Sequence, residues 1–212
     1  IDEDDFKEKV LKIKEIWSTL DTTNICFKTE ELPQKINKYI TFGAFNNFNK
    51  LNEKTLKLWS EILRNVPESK ILFNNYSYED SKVRDFLYSV FKKNNVNKDK
   101  ILIENGGNRE KILKDYNKID IALDTFPYSG TTTSCESLMM GVPVLTIFDN
   151  VRHYHSQNVT TSLMKNCGLD EYITTSQEEY INKAVYFSKN LDKLHNLKAD
   201  VRQSFVNSPI CN

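Results

Sequence analysis

Ile119-Asp120-Ile121-Ala122-Leu123-Asp124-Thr125-Phe126-Pro127-Tyr128-Ser129-Gly130-Thr131-Thr132-Thr133-Ser134-Cys135-Glu136-Ser137-Leu138-Met139-Met140-Gly141-Val142-Pro143-Val144-Leu145-Thr146-Ile147 is the stretch on which the fold of this 212-residue chain turns. An apolar run, Ile119 to Leu123, stops at a turn segment ending in Gly130. Thr131, Thr132 and Thr133 then open a short helical pattern that closes at Gly141, and a second apolar run follows. The order is strand, glycine-bearing loop, helix, glycine, strand. A helix N-terminus turns free N–H groups and partial positive charge toward such a loop, and a phosphate can sit there. Threonine hydroxyls add donors at the same place, and Glu136 follows one turn on. The segment points to a phosphorylated, nucleotide-linked ligand. Taken alone, a Thr-rich helix start also reads as a simple cap, and Glu136 as a solvated helix carboxylate.

Working outward, strands and helices alternate. Tyr39–Phe45, Lys70–Asn74, Lys100–Glu104, Ile119–Leu123 and Val142–Ile147 read as strands. Helical spacing is seen over Glu53–Asn65 (Leu56, Trp59, Ile62 and Leu63 on one face) and over Glu79–Lys93. It recurs over Glu110–Tyr116, from about Thr131 to Met140, near Asn158–Lys165, and twice in Gln177–Ser204 with a break near Asn190. This predicts an α/β fold with a doubly wound, mostly parallel, Rossmann-like sheet. Residues 1–37 read as a separate piece, a helix over 3–18 and then an irregular connection holding Pro33. Residues 38–212 form the lobe itself.

Ligands of such sheets lie outside the carboxyl ends of the strands. Three loops share that rim: Asn46–Lys50, Asn105–Arg109 and Thr125–Thr133. In the first, Gly43 at the strand end is expected to let a ligand near the backbone. Asn47 offers an amide, and Lys50 a cation that can neutralise charge developing on a diphosphate leaving group. The bland alternative is one more surface lysine. In the second, Arg109 follows Gly106 and Gly107 and can bond a ribose or phosphate, although Asn-Gly-Gly is also an ordinary turn. His153 and His155 follow the last strand on the same rim. Two histidines at i, i+2 make no metal site without further ligands, and none is expected here. His195 reads as structural.

Basic and acidic side chains balance at 29 each, which argues against a long-range field for nucleic acid. Cys26, Cys135, Cys167 and Cys211 form no CxxC pair, so reduced intracellular thiols and a cytoplasmic location are expected. No apolar run approaches the roughly 18–20 residues that span a bilayer, and the acidic start is unlike a signal peptide. The chain is read as soluble. It opens at Ile1 rather than methionine, so it is expected to be a portion of something longer.

As a set these residues resemble the C-terminal half of the catalytic region of the O-linked N-acetylglucosamine transferases, a GT-B family that usually follows a tetratricopeptide array. The resemblance runs from about Cys26 to the end. It is carried by Ile40–Asn47, Ile119–Tyr128, Gly130–Thr133, Gly141–Val144 and the closing Ser208-Pro209-Ile210-Cys211. It implies the C-terminal lobe of a GT-B glycosyltransferase that binds UDP-N-acetylglucosamine and transfers the sugar to Ser or Thr hydroxyls of an acceptor protein. Inversion at the anomeric carbon, with no metal and no other cofactor, is implied as well. Lys50 falls on the family's catalytic lysine at the diphosphate, and Asn47 on a neighbouring amide. Thr132 and Thr133 match the hydroxyls at the phosphates, Glu136 the acid on the ribose, and Arg109 a lysine near ribose and uracil. His155 fits a bacterial-type pattern.

The chain also departs from the family. Ile112 stands where many members pack a histidine on uracil, Thr131 where some have histidine or glycine, and Asn158 where an arginine is common. Nucleobase choice is therefore open, while Thr131 stays with the phosphate-binding set. The first GT-B lobe and any tetratricopeptide repeats are expected partners, and without them the chain is expected to bind nucleotide and not turn over. Two alternatives remain: a transferase using another UDP-sugar or acceptor, and a non-catalytic nucleotide-binding interaction module. Retained Lys50 speaks against the second, while Ile112 and Asn158 speak for it.

Overall fold

In a computed structural model the described residues are 7–9, 11, 16–20, 31–149 and 154–211. Six strands form one sheet: β1 (Ile40–Ala44), β2 (Ser69–Asn74), β3 (Ile101–Glu104), β4 (Ile121–Leu123), β5 (Val144–Ile147) and β6 (Ile173–Thr174). Their order is β3-β2-β1-β4-β5-β6, and every pairing is parallel. The mostly parallel expectation thus becomes an all-parallel sheet. All five residues of β1 are buried, as suits a strand covered on both faces.

The helices are α1 (Pro33–Asn37), α2 (Glu53–Asn65), α3 (Ser81–Lys93), α4 (Arg109–Asp115), α5 (Thr132–Met139), α6 (Val159–Asn166), α7 (Gln177–Lys189) and α8 (Leu191–Val206). Helix α2 buries the face read from sequence, with Leu56, Trp59, Ile62 and Leu63 all inside. Asn52 caps its start, the side-chain oxygen accepting from the Thr55 N–H at 3.0 Å. The Asn190 break separates α7 from α8 as the sequence predicts.

Two readings change. Residues 33–37, expected to be irregular, form α1: Pro33 pre-sets the backbone of its first turn, and buried Asp120 accepts from the Gln34 N–H at 3.1 Å. Strand β6 is two residues long, too short to carry an alternation signal. The helix expected over 3–18 lies mainly outside the described residues, and those of its positions that are described carry no helix. There Ile16 is buried, and further on the Leu20 N–H donates to the Ile210 carbonyl at 2.8 Å.

β1 and β4 are the neighbours from which the chain winds in opposite directions. Their loops diverge and leave the crevice where doubly wound sheets take ligands.

Candidate nucleotide site at the switch point

The loop after β4 is held from both sides. Asp124, fully buried, accepts from the N–H groups of Thr125 (3.0 Å) and Gly130 (2.7 Å) and from the Thr146 hydroxyl (2.8 Å). Burial pushes its carboxyl up, against the pull of these bonds. A side chain at position 130 would place its Cβ 2.3 Å from Ser134 Oγ and 3.1 Å from Asp124 Oδ1, so anything larger than glycine would displace them. Asn52, the cap of α2, and Thr55 in its first turn both donate to the Phe126 carbonyl, at 2.7 and 2.8 Å. Ser129 Oγ accepts from the Val159 N–H at 3.1 Å, capping α6 across the loop. The peptide bond between Phe126 and Pro127 is cis.

Onto this frame the structure brings most of the expected residues. Lys50 ends a short 3₁₀ turn after β1, and its Nζ donates to the Ser129 carbonyl at 2.8 Å. Nζ also stands 4.3 Å from the centre of the Tyr128 ring. Half-burial lowers its pKa, opposed by the nearby charge of Asp124. Asn46 Nδ2 donates to Thr133 Oγ1 at 3.2 Å, which ties the β1 loop to the first turn of α5. Thr131 makes no side-chain capping bond at that helix start. The cap reading thus finds no side-chain bond, and Thr132 at the first helical position is exposed.

One turn on, Glu136 is buried, and its carboxyl is raised by that burial, with Arg109 pulling the other way. Arg109 Nε stands 4.0 Å from Glu136 Oε1, at the limit of an ion pair, and the arginine side chain is 57% exposed. A buried acid so loosely matched retains acceptor capacity for hydroxyl groups.

Other expectations are redistributed. Asn47 Oδ1 accepts from the Asn49 N–H at 2.9 Å and so shapes its own loop, with the side chain at the exposed rim. Gly43 serves packing, because a Cβ there would lie 2.2 Å from Ile119 Cδ1. His155 adjoins the β4 loop through Ser156, whose carbonyl accepts from Ser129, but its own ring packs edge-on against Trp17 at 4.9 Å. Asn158 clamps Asp149, accepting from its N–H and donating to its carbonyl, both at 2.9 Å. That accounts for asparagine at this position without a ligand. His153 lies outside the described residues.

Sequence reasoning passed over Asn74. Buried at the end of β2, it donates to Asp115 at 2.9 Å and accepts from the Gly106 N–H at 2.9 Å, fixing the loop that carries Arg109. An asparagine closing an apolar strand next to a rim loop was the available signal. Between the ends of β1 and β4 a cavity of about 10 Å³ is lined by Asn46, Asp124, Thr133 and Ser134. That is room for about one water, so a larger ligand must lie across the rim, as on one half of a cleft. Among the described residues no three metal-ligating side chains converge, and no helix is long and apolar enough to cross a membrane.

With this geometry in hand, residues 19–212 match the family model for glycosyl transferase family 41. The chain belongs to that family. Among family 41 relatives, a tomato (Solanum lycopersicum) protein called "Probable UDP-N-acetylglucosamine--peptide N-acetylglucosaminyltransferase SPINDLY" is 35% identical over 180 residues. These are 84% of this chain and 19% of that protein. A Caenorhabditis elegans UDP-N-acetylglucosamine--peptide N-acetylglucosaminyltransferase is 26% identical over 173 residues, 81% of this chain and 14% of the relative. Among solved structures, a K341M mutant of the Thermobaculum terrenum O-GlcNAc transferase superposes with a TM-score of 0.75 at 32% identity. It covers 79% of this chain and 32% of its own. The family 41 chain described here therefore spans about a fifth of the length of the tomato relative, and its sheet is that of a glycosyltransferase lobe.

Proposed function

We propose that residues 38–212 form the nucleotide-sugar-binding lobe of a protein O-glycosyltransferase, with residues 1–37 as the segment leading into it. One observation carries the reading. Lys50, the first turn of α5 and the Arg109–Glu136 pair converge at the switch point between β1 and β4. The donor diphosphate lies against Thr131, Thr132 and Thr133 at the helix N-terminus, where N–H groups and hydroxyls meet the phosphate oxygens. The ribose diol bonds Glu136, with Arg109 beside it. The Lys50 ammonium stabilises charge that grows on the departing diphosphate as an acceptor Ser or Thr oxygen bonds the anomeric carbon from the opposite face. Asn47 and His155 stand at the margins of the pocket. The base that takes the hydroxyl proton, and the acceptor itself, come from the facing lobe and from outside this chain.

UDP-N-acetylglucosamine, which relatives carry in their names, is the donor we assign first. We place the reaction in the reducing cytoplasm, which suits the free thiols of Cys135 and Cys167. A second reading, transfer from another nucleotide sugar, is favoured by Ile112, whose half-buried side chain packs on the core and offers no ring to a base. Mass spectrometry of acceptor proteins incubated with the full-length protein and UDP-N-acetylglucosamine tests the first reading. A Ser- or Thr-linked N-acetylhexosamine is the expected product. Transfer from a competing sugar nucleotide alone supports the second, and nucleotide binding without any transfer returns the chain to an interaction module.

A further inference from the structure

The rim continues past Arg109. Tyr76, at the start of the turn after β2, is 57% exposed, yet its side chain is fixed. Its hydroxyl donates to the Gly107 carbonyl in the neighbouring loop. Its ring lies over Gly106, where an added Cβ would meet Tyr76 Cγ at 3.1 Å and the Tyr76 N at 2.9 Å. Gly106 has φ +69°, so the glycine is required by backbone and neighbour alike. Asn74 holds the Gly106 N–H from below. An aromatic ring tethered at its hydroxyl has already lost its rotational freedom while much of its surface still faces water.

The groups linked along the rim are of the three kinds that a nucleoside diphosphate needs. The α5 N-terminus and Lys50 come first. Glu136 follows four residues on from Thr132, an axial rise of about 6 Å. Arg109 Nε stands 4.0 Å from Glu136 Oε1, and the loop that carries Arg109 is the one whose Gly107 carbonyl accepts from Tyr76. Phosphate, ribose and base would each find a matching group among them. Position 112, half-buried, carries only an aliphatic chain. A planar heterocycle gains most from a pre-fixed aromatic face, and such stacking tolerates any base.

We propose that Tyr76 is the nucleobase platform of this site, a binding residue for the base of the nucleoside diphosphate. This rests on the nucleotide-sugar reading above. The bland alternative is a latch, with Tyr76 only closing the Gly106–Gly107 loop.

Calorimetry on the full-length protein with UDP, GDP and inorganic pyrophosphate separates the possibilities. Tyr76→Ala should weaken the better-bound nucleoside diphosphate roughly ten-fold or more and leave pyrophosphate unchanged. Tyr76→Phe, which keeps the ring and loses the tether, should retain most of the nucleotide affinity. Unchanged nucleotide affinity in Tyr76→Ala overturns the platform and leaves the nucleotide reading standing. So does an equal loss for nucleotide and pyrophosphate, or a Tyr76→Phe variant as weak as Tyr76→Ala, since either is the behaviour of a latch. If the wild-type protein binds none of the three probes, the nucleotide reading itself fails and the platform with it.

Discussion

The ammonium of Lys50 donates to the carbonyl of Ser129 at 2.8 Å, binding the loop after β1 to the loop after β4 across the switch point. The acceptor is a neutral carbonyl in a loop that Asp124, Asn52 and Thr55 already hold in place. An ammonium so placed has given up part of its hydration for one fixed dipole and the face of Tyr128. A diphosphate arriving at α5 offers it a far stronger partner. Lys50→Ala should therefore lower kcat of the full-length protein by about two to three orders of magnitude. The thermal midpoint should stay close to wild type, because the loop keeps its other bonds. Transfer at the wild-type rate would remove Lys50 from the chemistry.

The same burial sets a pH signature. Lys50 titrates below the ordinary lysine value of 10.5, because desolvation outweighs the charge of Asp124. In the proposed role the protonated form is the active one, so kcat/KM, which reports the free enzyme, should fall on the alkaline side at a pH below 10.5. Lys50→Arg keeps its charge throughout that range, and whatever rate it retains should lack this limb. An alkaline limb that persists in Lys50→Arg belongs to another group.

Glu136 gives a prediction in which stability and binding move oppositely. Burial raises its carboxyl above the unfolded value, so the unfolded chain ionises at lower pH than the folded one. The acid thus costs stability at neutral pH, and the cost is relieved as pH falls through the raised folded pKa toward the ordinary one. Glu136→Gln should melt higher than wild type at pH 7, with the difference shrinking in acid. Nucleotide affinity should fall about ten-fold, since an uncharged amide accepts the ribose hydroxyls less strongly. A variant that is both less stable and fully competent to bind would mean that the Arg109 pair is structural.

Why some of this was legible in the chain and some was not follows from the range of each interaction. Helix α2 and the α7–α8 break are written in local periodicity and capping, so Glu53–Asn65 and Asn190 could be placed from sequence. The threonines of α5, Glu136, Lys50 and Arg109 stood out because polar and glycine residues interrupt apolar runs at strand ends. What stayed hidden is the chemistry of partners distant in the chain. Asp124 read as a turn residue and is a buried hub, its carboxylate accepting from Thr146, 22 positions away, and its carbonyl from Tyr180, 56 positions away. Asn158 read as a lost ligand and is a backbone clamp. Whether Gly43 faced a ligand or a side chain depended on Ile119, 76 residues on, which no local pattern encodes.

The helix start can be tested without disturbing that frame. Thr132 is exposed at the first position of α5, whereas Thr133 also accepts from Asn46. Thr132→Ala should weaken UDP binding with no change in thermal midpoint. Thr132→Ala combined with Thr133→Ala should remove most of the remaining affinity and cost some stability through the lost Asn46 bond. Calorimetry alongside thermal melts on the full-length protein reads both. UDP affinity equal to wild type in the double variant would put the diphosphate elsewhere.

Gly43 separates packing from ligand approach. Its Cβ position lies 2.2, 2.9 and 3.1 Å from Cδ1, Cγ2 and Cγ1 of Ile119, a fully buried side chain just ahead of β4 that would have to shift. Gly43→Ala should destabilise by about 1–3 kcal/mol, the usual cost of overfilling a core. Ile119→Ala alone should cost about 2–5 kcal/mol through the cavity it leaves. The two changes should compensate, because the new methyl enters space vacated by the old side chain, and the double variant should be more stable than the sum of the singles. Urea titrations of the four proteins measure that coupling. Strict additivity, or a Gly43→Ala variant of wild-type stability that no longer binds nucleotide, would return the glycine to the ligand site.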